Sequence, residues 1–209
     1  MKEEKMKQRA KEFFSEMKTR RSIRKFSNQP VSREIIDLCL KAAGRSPSGA
    51  NQQPWHFVVI SNDKMKKKIR KNAEREEKKF YMSRAPEEML NALESLNTNW
   101  KKPFLENAPY LIVIFAKNAH YNENGEKIKH YYVNRSVGIA TGILITALHY
   151  AGLSVLPYTP SSMMFLKDLL DQPETEWPFL LLVVGHQHED AEIPPIGKKS
   201  LEEITSYIE

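Results

Sequence analysis

Residues 131–151 carry apolar side chains on nearly every face of a helix, with Val137, Ala140, Leu144 and Leu148 interleaved with the small Gly138 and Gly142. A helix of this kind does not suit a surface, because whichever side faced outward would hold apolar area in water. The pattern predicts a central buried helix, closed by Gly152, with other elements packed around it. Those elements are legible on both sides. The run 110–116, introduced by Asn107, Ala108 and Pro109, is long enough only for a buried strand, and 56–60, 153–156 and 179–184 read as three more. Residues 3–20 form a charged amphipathic helix whose stripe of Met6, Ala10, Phe13, Phe14 and Met17 needs a partner surface. A second helix opens at Ser32, places Ile35, Ile36, Cys39, Leu40 and Ala43 at helical spacing, and ends at Gly44. A helix capped by Asp63 leads into a polar stretch reaching Trp100, residues 122–125 form a turn, and a last helix runs to about Leu170. Strands and helices are mixed without an internal repeat, so residues 1–209 read as a single α/β or α+β domain.

Several function classes are excluded by what is missing. The longest apolar runs, 110–116, 143–148 and 179–184, fall far short of the ~20 residues a bilayer span needs. Residues 1–20 are charged throughout and contain no apolar leader core, so no membrane partner and a cytoplasmic location are expected. The single cysteine, Cys39, rules out an internal disulfide and reads as a core residue. The 32 Lys and Arg exceed the 26 Asp and Glu, but the excess concentrates in 64–71 and 78–79, mixed with Glu74, Glu76 and Glu77. That is a solvated helix face, and with no nucleic-acid-binding signature beside it no nucleic-acid partner is expected. The histidines lack metal-ligand spacing, so no metal site is expected, and neither a nucleophile elbow nor a P-loop nor a dinucleotide fingerprint occurs.

Two motifs remain. Arg20, Arg21, Ser22 and Arg24 bunch guanidinium groups where the first helix ends. Such a cluster grips a phosphate through paired charge-assisted hydrogen bonds, or it complements the helix dipole; composition alone leaves both open. The loop Pro47, Ser48, Gly49, Ala50 lets backbone N–H groups approach a ligand closely, or is an ordinary turn from helix to strand.

Taken together, and followed at the right distance by Gln53, Pro54 and Trp55, these words resemble the flavin-dependent nitroreductase family, with its R-R-S-x-R phosphate motif. Within that family the chain is similar to the halotyrosine deiodinases from about residue 20 to 204, including Tyr81 and Met82, residues 98–100 and residues 130–132. The resemblance implies an α+β nitroreductase fold, a central mixed β-sheet surrounded by helices, and an intertwined homodimer with FMN at the subunit interface. It implies FMN-dependent reductive dehalogenation of halotyrosines, iodotyrosine going to tyrosine plus iodide, with electrons from an unidentified reductase or reduced carrier.

Residue by residue, Arg20, Arg21, Ser22 and Arg24 fall on the phosphate and ribityl site, and Lys198 replaces an arginine that contacts the phosphate. Pro47, Ser48 and Gly49 fall on the flavin-lining loop, and the Ala50 N–H on the substrate phenolate. Thr159 falls beside flavin N5. Residues 74–102 correspond to an active-site lid, polar enough to be mobile without substrate. In it, Glu77 and Tyr81, at an i, i+4 spacing, and Lys102 hold the ammonium and carboxylate groups of the amino acid. Asn51, Gln52, Gln53, Pro157 and Tyr158 depart from the deiodinase pattern. A broad-specificity nitroreductase or quinone reductase is the alternative enzyme, and a non-catalytic flavin-binding sensor of an aromatic amino acid is the alternative outside catalysis.

Overall fold

The computed structural model describes residues 1–94 and 98–209, with the side chains of Ala92 and Glu94 also outside the described set. In chain order the elements are α1 (Glu3–Thr19), α2 (Arg33–Ala43), β1 (Trp55–Ile60), α3 (Asp63–Lys79), α4 (Glu87–Glu94), α5 (Phe104–Asn107), β2 (Tyr110–Lys117), β3 (Ala119–Tyr121), β4 (Lys127–Lys129), α6 (Val133–Tyr150), β5 (Ser154–Tyr158), α7 (Met164–Leu169), β6 (Glu176–Gly185) and α8 (Leu201–Ile204).

Four strands form one sheet in the order β1-β2-β6-β5, each neighbouring pair antiparallel. The outer edge of β5 is met by the arginine-rich segment, where Ser22 bridges Val155 in parallel and makes the sheet mixed. Both faces are covered, which is why β2 is apolar at every position from Tyr110 to Ala116 instead of alternating. On one face Leu111, Val113, Phe115, Leu181 and Val183 pack under Ile69 and Ala73 of α3, Phe104 and Leu105 of α5 and Leu166 of α7. On the other, Ile112, Ile114, Leu182 and Val184 pack under Ile36, Cys39 and Ala43 of α2 and Val137, Leu144 and Leu148 of α6. Cys39 is thus a core residue, and burial pushes its thiol pKa up.

Several boundaries differ from the sequence reading. Asn62, not Asp63, caps α3: its side chain accepts the Met65 N–H, while Asp63 is the first helical residue and pairs with Lys66. The β3–β4 hairpin was not anticipated, because three-residue polar strands carry no alternation to read. The polar stretch before Trp100 contains α4 and, at Phe80–Arg84, a π-helical turn.

The largest correction concerns α6. It buries Ser136, Val137, Ala140, Thr141, Leu144 and Leu148, but within one chain its other face stays open: Ile139 is 46% exposed, and a Cβ at Gly138 or Gly142 would meet nothing within 4 Å. The stripe of α1 is likewise uncovered, with Phe13 and Phe14 exposed. Among the described residues no helix is long and apolar enough to cross a membrane.

Candidate functional site

The carboxyl end of β5 and the second half of α3 enclose a cavity of about 260 Å³. Its lining includes Arg24, Glu77, Tyr81, Lys102, Tyr158 and Thr159. Three segments meet here, α3 with the turn that continues it, residue 102, and the end of β5. Glu77 projects from the inner face of α3, where Ile69 and Ala73 anchor the helix to the sheet. Tyr81 follows on the π-helical turn, a distortion that often marks functional sites. Lys102 is brought back over α3 because its backbone N–H donates to Glu74 Oε1 at 2.7 Å, while that carboxylate also takes Arg70 at 2.8 Å.

The charges of the cavity are arranged as a pair. Lys102 Nζ lies 3.3 Å from Glu77 Oε2, with the two side chains only 5% and 8% exposed. The ammonium also donates to Thr98 Oγ1 and the Asn99 carbonyl, and sits over the rings of Tyr81 and Tyr158 at 5.6 and 5.7 Å. Burial pulls the Lys102 pKa below the ordinary lysine value, against the raising influence of Glu77. Burial, reinforced by Glu77, pushes the Tyr81 phenol up. The result is a desolvated anion and cation side by side, which complements a zwitterion.

Thr159, just past β5, is exposed and lines the same cavity; its hydroxyl makes no hydrogen bond among the described residues. Arg24 also lines it. Arg20 and Arg24 form no salt bridge among the described residues, and burial draws the Arg24 guanidinium below its ordinary value. Arg21 donates to the Ile196 carbonyl at 2.9 Å, which ties down the C-terminal segment two residues before the exposed Lys198.

The loop at 47–50 lies elsewhere. Gly49 N–H donates to Ser136 Oγ at 3.3 Å, and Gln52 Oε1 accepts the Tyr131 N–H, so the loop is strapped to the start of α6. Arg21 shares a pocket with His149 and Gly152 at the other end of that helix. Eighteen helical residues separate the two by roughly 25 Å. One chain therefore gathers Arg24, Glu77, Tyr81, Lys102 and Thr159 but does not bring Ser48, Gly49 and Ala50 to them.

Within the loop Ala50, Asn51 and Gln53 all hold left-handed backbone, a strained run of the kind found where N–H groups are aimed at a ligand. Gly49 has a packing reason of its own: a Cβ there would fall 2.8 Å from Tyr132 Cδ2 and 3.3 Å from the Tyr131 carbonyl. Gly49→Ala should lower stability by about 1–3 kcal/mol through overpacking, read from thermal denaturation; an unchanged melting temperature would show that the Tyr132 ring simply moves aside.

Tyr158 was not singled out from the sequence as a site residue, and only its departure from the family pattern marked it. It donates to Glu77 Oε1 at 3.2 Å from the buried side of the cavity.

A model of the nitroreductase family matches residues 17–186. The chain is 46% identical over 196 residues to the iodotyrosine deiodinase of Haliscomenobacter hydrossis, covering 94% of this chain and 88% of that one. It is 41% identical over 203 residues to iodotyrosine deiodinase 1 of Homo sapiens, covering 97% of this chain and 70% of that one. The crystal structure of oxidized iodotyrosine deiodinase bound to FMN and 3-iodo-L-tyrosine superimposes with a TM-score of 0.81 at 29% identity, covering 93% of this chain and all (100%) of that one. A nitroreductase with bound FMN from Bacteroides fragilis shares the fold at a TM-score of 0.67 and 18% identity, covering 94% of this chain and 98% of that one. Likeness sustained along nearly the whole length of this chain shows that it belongs to the nitroreductase family, in the branch formed by the iodotyrosine deiodinases.

Proposed function

We propose that the protein is an FMN-dependent reductive dehalogenase that converts iodotyrosine to tyrosine and iodide. The observation that carries this reading is the desolvated Glu77–Lys102 pair beside Thr159 in one cavity. It offers an anion and a cation to the two charged groups of an amino acid, which a site for neutral nitroarenes does not need.

The residues present fit FMN. Arg20 and Arg24 are half-buried cations without a carboxylate partner among the described residues, and such groups favour an anion close by. Arg20, Arg21 and Ser22 would hold the phosphate and ribityl chain, with Arg24 between them and the cavity and Lys198 adding charge from the anchored C-terminal segment. Pro47, Ser48, Gly49 and the Ala50 N–H would line the flavin and meet the substrate phenolate from a second chain. A homodimer supplies that chain, and the open faces of α6 and α1 are the surfaces it would cover.

When bound, reduced FMN supplies the two electrons that, with one proton, replace the carbon–iodine bond by carbon–hydrogen; an unidentified reductase or reduced carrier restores them. The protein's part is placement. Glu77 receives the substrate ammonium, Tyr81 and Lys102 hold the carboxylate, and residues 74–102, of which 95–97 lie outside the described residues, act as the lid that keeps water from these charges. The Thr159 hydroxyl, able to donate and to accept, follows changes of protonation at the edge of the cavity.

The test is turnover of iodotyrosine by dithionite-reduced protein, assayed beside a nitroarene with a nicotinamide donor. Iodide release exceeding nitroreduction is expected; nitroreduction alone would reassign the chain as a broad nitroreductase, and flavin binding without turnover as a sensor. Arg21→Ala should weaken FMN binding at least tenfold and make it more salt-sensitive, since it removes a guanidinium and also unties the segment carrying Lys198. Flavin fluorescence titration reads this, and unchanged affinity would place the phosphate elsewhere.

A further inference from the structure

Glu77 is held from two sides. Its Oε2 faces the Lys102 ammonium at 3.3 Å, and its Oε1 accepts the Tyr158 hydroxyl at 3.2 Å. The Tyr158 ring is itself immobilised. It ends β5, where its backbone is paired opposite Leu181, and it stands edge-on to Phe104 with centroids 5.4 Å apart at 81°. Burial and the neighbouring carboxylate push its phenol far up, so it stays protonated and donating.

The anion and cation of the clamp pair with each other. A zwitterion has to open it, its carboxylate drawing off Lys102 and its ammonium taking the vacated Oε2. Lys102 has a long stem and alternative acceptors at Thr98 and Asn99, so it can shift. Glu77 must not shift with it, or the ammonium site is lost. We propose that Tyr158 is a positioning residue that holds the Glu77 carboxylate in place while Lys102 moves, and so sets the preference of this site for α-amino acids over simple halophenols. The inference rests on the halotyrosine reading above. A halophenol leaves the pair closed and draws nothing from Tyr158. Tyr158 ends β5 and Thr159 follows it, both lining the one cavity, so this end of the strand serves the substrate clamp and the proposed flavin contact together.

Tyr158→Phe tests this, because it keeps the ring, its contact with Phe104 and its face toward Lys102, and removes only the hydroxyl. Steady-state kinetics on the FMN-loaded protein should show KM for iodotyrosine raised about tenfold with kcat held, and the loss confined to iodotyrosine when iodophenol is assayed in parallel. In a Glu77→Gln background the same change should cost nothing further, since Tyr158 acts through Glu77. Equal losses for both substrates, additive losses in the double variant, or an unchanged KM would each overturn the inference. Direct titration of the parent protein with iodotyrosine separates the two levels: no binding there sinks the halotyrosine reading and this inference with it, whereas binding by the parent and an unaffected Tyr158→Phe variant sinks the inference alone.

Discussion

Glu77→Gln and Lys102→Ala should each raise KM and Kd for iodotyrosine by roughly 10- to 100-fold, and should change those for iodophenol far less. A hydrogen bond to a charged group is worth about 1.5–3 kcal/mol, and each substitution would remove one such contact of the proposed clamp. The contacts are desolvated, so solvent screening does not erode them as it would at the surface. Both variants should lose stability. Glu77→Gln leaves the Lys102 ammonium buried with only neutral acceptors, and breaking a buried pair this way costs about 3 kcal/mol. Lys102→Ala leaves the buried Glu77 carboxylate without its cation and held by the Tyr158 hydroxyl, so a loss of similar size is expected. Calorimetric titration at a temperature well below each variant's melting point checks the affinities, and denaturant unfolding checks the stabilities. Similar affinity losses for iodotyrosine and iodophenol would show that these side chains shape the cavity but do not clamp the zwitterion.

Thr159→Ala is expected to retain FMN and to lower deiodination by on the order of 10²-fold, the scale found when one well-aimed hydrogen-bond partner is removed from a reacting centre. Thr159 lies where β5 gives way to the loop, and Pro160 has no backbone N–H, so a hydrogen bond from this point of the chain comes from Thr159 itself. Its hydroxyl is exposed to the cavity and uncommitted among the described residues. The family resemblance implies that deiodination takes its two electrons one at a time, and a hydroxyl that can rotate between donor and acceptor suits such chemistry, in which the protonation of its partner changes between steps. Two-electron nitroreduction makes no such demand and should survive or increase. The measurement is iodide release against nitroarene reduction in the same flavin-loaded preparation. If the alanine variant deiodinates at the parent rate, the proposed control of one-electron chemistry by Thr159 is wrong.

Much of the scaffold was legible because its signals are local. Burial on both faces makes β2 apolar from Tyr110 to Ala116, the Ser32 hydroxyl accepts the Glu34 N–H as an N-cap should, and Gly152 takes the left-handed backbone that ends α6. The Asp63 cap was misplaced by one residue because Asn62 and Asp63 are both capping types, and only the backbone at Asn62, still extended, decides between them. The π-helical turn carrying Tyr81 leaves no mark in composition, since π and α geometries use the same residues. The site residue types entered through family resemblance, and Tyr158 escaped it because it departs from the pattern.

What the amino-acid order determined by itself were the periodicities, and hence which segments are helix or strand and that α6 must be covered widely, together with the presence of an arginine cluster suited to a phosphate. What only the tertiary structure decided was which groups meet. Tyr158 and Glu77 are 81 residues apart, Lys102 and Glu74 28 apart, and both contacts depend on how α3 and residue 102 settle over the end of β5. It also decided that one chain leaves half of α6 open and keeps the 47–50 loop away from the arginines. The physical reason is that a residue's type and spacing restrict its own backbone and the face it presents, whereas a contact between distant residues depends on sheet register and on how helices cross the sheet, which arise from the packing of the whole chain.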